Sequence, residues 1–360
     1  MRRLALLCAV LLSATTTVAA DPNANQERLR ESGSCVGCDL SGIDLSSMRL
    51  MSVDLSGADL RNAKLRKSTL FRANLSGADL RGADLEGASM GRINLSGANL
   101  SGLDLHGARL SHANLSNAVL RKTRFDGAQL THTDLRNADM TGASLIGADL
   151  RHAKLDGSQM DDVTLNEADL RKVDFRGVDG LAHNWFVGVR AERAVFDGLD
   201  LAGAYFDRAK LGFASFRGTQ LTGSSLRGAS LRKAKLTDAL LNDCDLRNTD
   251  LTSVTMTSAS ARESRFGGAQ LSGNLIGVDF SNADLGGASL AGANMKDATF
   301  VGADLTRSTL QDGNLYGADF TAATLTETRF DRANLQQARF ADTDLGSARF
   351  DGARGAPVRP

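Results

Sequence analysis

An excess of either charge is what this chain lacks first: 42 lysines and arginines stand against 42 aspartates and glutamates in 360 residues. A balanced chain releases few counterions on a phosphate backbone, so no nucleic-acid partner is expected. Also missing are a glycine-rich phosphate loop opening onto a helix, a metal-ligand quartet, and a serine, histidine and aspartate set that the chain would bring together. Neither catalysis nor a cofactor is therefore expected. After residue 20 no apolar run is long enough to cross a bilayer, so the mature chain should carry no transmembrane segment. Aromatic residues with a polar handle are scarce, and Trp185 is the only tryptophan.

What is present begins with an address. Arg2 and Arg3 form a basic start, Leu4 to Leu12 an apolar core, and Val18-Ala19-Ala20 a small-residue cleavage site, the three parts of a secretory signal peptide (1–20). Lipidation at Cys8 is disfavoured, because Leu7 precedes it and it lies inside the apolar core. Cleavage near Ala20 leaves 40 basic against 42 acidic residues, and the product is expected to be periplasmic or secreted.

From Leu40 to Phe175 every fifth residue is large and apolar, and a small residue usually stands two places before it, as in Ala58-Asp59-Leu60 and Ala148-Asp149-Leu150. A period of five suits neither regular element. It turns an α-helix by 500°, leaving successive leucines about 140° apart, and being odd it would alternate faces along a strand. The chain must instead turn a corner once per pentad. Right-angled corners close a coil every 20 residues with each leucine aimed at the axis. Equal side chains do recur at 20: Phe280, Phe300, Phe320 and Phe340; Asn74, Asn94 and Asn114; Ser56, Ser76, Ser96 and Ser116. Rungs about 4.8 Å apart would stack them as ladders.

These tandem A-(D/N)-L-x-x units resemble the pentapeptide-repeat family over nearly all of the mature chain. The resemblance implies an all-β fold, a right-handed, quadrilateral parallel β-helix of about 16 coils, with the central Leu or Phe and the small residue two before it pointing inward. Burying one Leu and one Ala stabilises by roughly 2–4 kcal/mol, whereas ordering five residues costs roughly 5–10 kcal/mol. No repeat can stand alone, and stability must be cooperative along the axis.

The segment 21–38 is expected to cap the first rung, with a helical turn or two over Asn25 to Glu31. Cys35 and Cys38 either form a short disulfide pinning the first corner or stay free. Cys244 falls on the inward small-residue column. The repeats occupy 39–350. After Phe175 the phase slips by one, with an extra position before Leu181 and weak centres at Ala191 and Ala261 (slip region 176–195). At 271–275 a step of four restores it, so later faces should realign with early ones. The last pentads, with Phe280, Phe300, Phe320, Phe330, Phe340 and Phe350 as centres, are expected to be the better packed end. The tail 351–360 contains no amphipathic helix.

Function must lie on outward positions. In steps of 20 one column reads Arg72, Arg92, His112, His132, His152, Lys172, a candidate surface for an anion or an acidic partner. His112, His132 and His152 are also weak candidates for a bridging metal, although no carboxylate or thiol stands beside them in the column. Trp185 either points outward as a contact or, the favoured reading, folds back to plug the disturbed corner. Asp39, Asp59 and Asp79 begin an acidic column that stops at Asn99. Family members that confer quinolone resistance imitate duplex DNA with longer carboxylate columns to bind gyrase, so DNA mimicry is the alternative reading. The principal expectation is a non-enzymatic exported rod, about 75 Å long, acting as a scaffold for an unidentified protein partner, with a homodimer through one end as a further possibility.

Overall fold

The computed structural model describes residues 22–357; the expected signal peptide and its cleavage site fall outside them. Each pentad builds the same local unit. In Leu55-Ser56-Gly57-Ala58 the Ala58 N–H donates to the Leu55 carbonyl at 3.1 Å, and Gly57, third in the turn, has φ +64°. The Leu55 N–H then donates one coil onward to Asn74 O at 2.7 Å, while Asn74 N–H returns to Val53 O at 2.8 Å. Repeated around the chain, these bonds make a parallel β-helix whose bridges join residues 20 apart, such as Asp39 to Asp59 and Asp59 to Asp79. Four pentads therefore make one turn.

The core runs down the axis. Every pentad centre from Leu40 to Leu335 is buried, including the weak centres Ala191 and Ala261. Threonine replaces alanine inward without an orphaned hydroxyl: Thr123, Thr133, Thr219 and Thr328 donate to the carbonyls of Leu100, Leu110, Phe196 and Leu305 at 2.9, 3.0, 2.9 and 2.8 Å. Aromatic packing differs from the expectation. Phe175, Phe196 and Phe216 stack at 4.8 Å per step, and Phe186 stacks on Phe206 at 4.6 Å, so the middle coils are as ring-rich as the last ones. The C-terminal rung is in fact the less sealed: Phe340, Leu345 and Phe350 are only partly buried.

Helix α1 (Pro22–Ser32) covers the other end and is longer than the turn or two expected. It opens at a proline, whose missing N–H costs nothing there, and Gly33 at φ +66° closes it, donating to Leu29 O at 3.0 Å. Leu29 buries against the first coil, while the Asn25 and Gln26 amides donate to the Asp39 and Asp44 carbonyls at 2.9 and 3.0 Å. The edge of the first rung is thereby partly satisfied.

Two coils break the count. Gln159 pairs with Asp179, 20 residues on, but Thr164 pairs with Trp185, Asp169 with Arg190 and Asp174 with Val195, each 21 on. Later, Ser260 pairs with Asp279, Arg265 with Asp284 and Gln270 with Ser289, each 19 on. There β1 (Asp250–Thr255) and β2 (Gln270–Asn274) pair in parallel with a bulge between Leu251 and Val254. The two changes cancel. Asn294, Asn314 and Asn334, linked by side-chain bonds of 2.9 and 3.1 Å, stand in the same bridged column as the earlier Asn74, Asn94 and Asn114.

Each slip rests on one glycine. A Cβ on Gly180, at φ +75°, would lie 2.7 Å from the Asp161 backbone nitrogen, and one on Gly273, at φ +113°, would strike the Val254 carbonyl. Gly97, also left-handed, faces open space. Gly97→Ala should therefore cost about 1 kcal/mol, the left-handed penalty alone, and Gly180→Ala at least about twice that, because backbone must also move. Urea midpoints of the two variants measure the difference.

Candidate functional site

With the core sealed, side chains that meet solvent stand in columns at the flats and corners of the coil. One corner is unlike the rest. Arg72, Arg92, His112, His132, His152 and Lys172 share it, and the three imidazoles stack in parallel, His112 on His132 at 4.9 Å and His132 on His152 at 4.7 Å. The column does not stop at Lys172. Lys172 N–H donates to Glu192 O and Arg193 N–H to Gly212 O, so the next rungs carry Arg193, Phe213 and Lys233. The Arg193 guanidinium lies 5.4 Å and the Lys233 ammonium 5.3 Å from the Phe213 ring centroid. Stepping by 20 misses these three; the extra residue before Leu181 requires a step of 21 at that one coil.

All nine residues have φ between +56° and +64° and are exposed. Among the described residues none of the five lysines and arginines in the column makes an ion pair, and no carboxylate stands in it. Beside it a hollow of about 580 Å³ is lined by His152, Lys154, Lys172 and the pair Asp174–Arg176.

Elsewhere arginine is neutralised locally. In the sequence Asp-Leu-Arg, or Asp-Phe-Arg at 174–176, the aspartate and the arginine flank one buried centre and close on each other: Arg61 on Asp59 and Arg81 on Asp79 at 2.5 Å, Arg136 on Asp134 and Arg176 on Asp174 at 2.6 Å. Arginine hydrogen bonds hold these four carboxyls below the ordinary aspartate range against partial desolvation. Asp59 and Asp79 of the acidic column are thus screened where a duplex mimic would expose charge, and Asp39 accepts from the Ser41 N–H at 3.0 Å. A second hollow, about 600 Å³, opens between the coils at Glu86 and His106, where Asp84 and Asp104 occupy one column but form no bridge. Arg66 holds Asp84 and Glu86 at 3.2 and 2.6 Å, and Arg124 holds Asp104 at 2.6 Å.

The expected plug is corrected. Trp185 is 47 % exposed and stacks on Tyr205 at 4.4 Å, with Tyr205 itself 37 % exposed. Asn184 takes the inward place instead: its side-chain oxygen accepts from Val163 N–H at 3.1 Å, and its amide donates to the Met160 and Gly180 carbonyls at 2.6 and 3.2 Å. Backbone groups displaced by an inserted residue are polar, so an amide satisfies them where an indole has one donor to offer.

The three described cysteines are structural. Cys35 and Cys38 are joined, S–S 2.06 Å, and buried at the first corner beneath α1. Cys244 is buried, donates to Leu221 O at 2.9 Å, and lies 3.3 Å from Ser224 Oγ. Among the described residues no group of three or more histidines, cysteines and carboxylates converges on a metal position. Burial pushes the Cys244 thiol up to about 11, so at pH 8.5 it stays protonated in the fold but half-ionises once exposed. Iodoacetamide at that pH should label Cys244 only after unfolding, as read by intact mass with the disulfide left oxidised.

A family model described as pentapeptide repeats matches eight times, at residues 34–66, 73–111, 104–142, 143–179, 204–243, 239–273, 274–312 and 314–352. A comparison with curated proteins finds no match. Among solved structures the chain is similar to HetL, a pentapeptide repeat protein involved in heterocyst differentiation regulation in Nostoc, at 29% identity over 73% of this chain and 89% of that one, TM-score 0.23. It is similar to QnrB1, a plasmid-mediated fluoroquinolone resistance protein, at 20% identity over 47% and 90%, TM-score 0.30. A pentapeptide repeat protein of the Arabidopsis thaliana thylakoid lumen is 27% identical over 36% and 68%, TM-score 0.14.

Proposed function

Because the chain belongs to the pentapeptide-repeat family, we propose that it is a non-enzymatic, exported interaction scaffold, a right-handed, four-sided shaft of about 16 coils that docks a protein partner on its side. The observation that carries the reading is the Trp185–Tyr205 pair. Two large rings stay in solvent at the one coil that holds an extra residue, and the flanking corner residues Ala182, Val187 and Ala202 are apolar and partly exposed. A rigid aromatic anchor with small apolar neighbours is the composition of an interface centre. Duplex mimicry is the weaker reading, since Arg61 and Arg81 cover the carboxylates it would need. The end suited to a second copy of the chain is the C-terminal rung, where Phe340 and Leu345 are only partly buried.

The test has two arms. Intact mass of the protein recovered from the exported fraction should begin at Asp21; recovery only in the cytoplasm with Met1 or its neighbours intact would contradict export. Photo-crosslinking from a benzophenone side chain at position 205 should give one discrete adduct, and Trp185→Ala should weaken capture at least about thirtyfold, as expected for an anchor worth about 2 kcal/mol. No adduct, or capture indifferent to Trp185→Ala, would contradict docking on this pair.

A further inference from the structure

The nine-residue corner from Arg72 to Lys233 is independent of the aromatic pair and has its own chemistry. Its residues hold φ of +58° (Arg72), +56° (Arg92), +60° (His112), +57° (His132), +61° (His152), +63° (Lys172), +64° (Arg193), +61° (Phe213) and +58° (Lys233). Left-handed backbone favours glycine by roughly 1 kcal/mol, and another corner takes it at Gly57, Gly77, Gly97, Gly157, Gly177 and Gly198. Nine consecutive rungs therefore keep a long side chain where the backbone prefers none. Every one of the nine is cationic, imidazole or aromatic, in a chain with as many acids as bases.

We propose that this corner is a binding track for a linear anionic polysaccharide, a uronan with one carboxylate per sugar, laid along the axis of the coil. The track is one side chain wide and about 38 Å long, eight steps of about 4.8 Å. A narrow line of donors suits a single extended chain rather than a duplex, which would need cations spread across neighbouring flats as well. The repeat of the donors also selects. Carboxylates on one face of an extended polypeptide recur at about 6.6 Å and fall out of step with the rungs within two residues. A pyranose linked through its 1 and 4 positions advances by about one rung, so carboxylates on one face, carried by alternate rings of a two-fold chain, can meet every second step.

The donors fit the sequence of the track. Among the described residues Arg72, Arg92, Lys172, Arg193 and Lys233 make no ion pair, unlike the arginines that clamp Asp59, Asp79, Asp134 and Asp174. The stacked imidazoles fix their ring planes against each other at 4.9 and 4.7 Å and carry ring nitrogens on three successive rungs, and Phe213 offers an exposed apolar ring to sugar C–H groups. The hollow beside His152 and Lys172, with Lys154 on its wall, gives room for a ring to sit below the corner; of the two carboxylates that line it, Asp174 is held by Arg176, and Asp156 stands with Arg136 on the wall as well.

The test measures retention of the full mature chain on polygalacturonate by biolayer interferometry at 50 mM salt, with amylose, polyglutamate, oligothymidylate and phosphatidylglycerol vesicles as competitors. Two triple variants remove the same charge. Arg92→Gln/Lys172→Gln/Arg193→Gln strips the track; Lys67→Gln/Lys122→Gln/Arg208→Gln strips cations with the same left-handed backbone at other corners. Both must melt as the wild type does; a melting loss in the track triple is replaced by the single variant Arg193→Gln, expected to cost threefold to tenfold. The track triple should weaken polygalacturonate binding at least tenfold and flatten its salt dependence, and the off-track triple less than twofold. Equal losses from both triples would overturn the proposal. So would no binding by the wild type, or stronger competition by polyglutamate, oligothymidylate or vesicles than by free uronan.

Discussion

The axial backbone hydrogen bond, from the N–H of one pentad centre to the carbonyl of the residue 19 places on, is the constraint on which everything else depends. Leucine and alanine burial per pentad does not offset the entropy of ordering five residues, so the coil exists only because each rung is paired with two others. That bond fixes the repeat at 20 residues and the rise at about 4.8 Å, and it sends every side chain of a column to the same height on successive rungs. Where a residue is added or lost, neighbours must restore the pairing locally. Asn184 does so at the long coil with three side-chain bonds, and Gly273 at the short one by leaving room for the Val254 carbonyl.

Stacking in register amplifies whatever a column holds. Phenylalanines become continuous rods of rings, asparagines become amide ladders, and like charges would repel along the whole length. The chain relieves that repulsion locally at Asp59, Asp79 and Asp134 through the Asp-Leu-Arg clamp, which needs only the two residues that flank a buried leucine. Against that background the Arg72–Lys233 corner and the Trp185–Tyr205 pair stand out physically. One is unneutralised charge on strained backbone, the other exposed aromatic surface on a polar shaft.

The fold was legible because the period of five is local and leaves one geometry for the chain. The inward positions, the small residue beside each centre, and the two phase slips all follow from counting. The site was legible only in part. His112, His132 and His152 fall in line by steps of 20, but Arg193, Phe213 and Lys233 lie beyond the inserted residue, where the count changes by one. Trp185 was the harder case. A large ring at a disturbed corner suggests a plug, yet what the disturbance leaves unpaired is backbone N–H and carbonyl, and the neighbouring Asn184 is the side chain that can meet both. Likewise the phenylalanine-rich C-terminus reads as the better packed end, although Phe340, Leu345 and Phe350 are only partly buried.

The central claim is the register that carries residue 72 to residue 233 in eight rungs. Pulsed electron–electron distance measurement between nitroxides at Arg72→Cys and Lys233→Cys tests it most directly, since Cys244 is buried and Cys35 and Cys38 are paired. The account predicts one narrow distance near 40 Å, from eight rises of about 4.8 Å. A distance above about 50 Å, as three pentads per coil would give at the same rise, or a broad distribution, would contradict it.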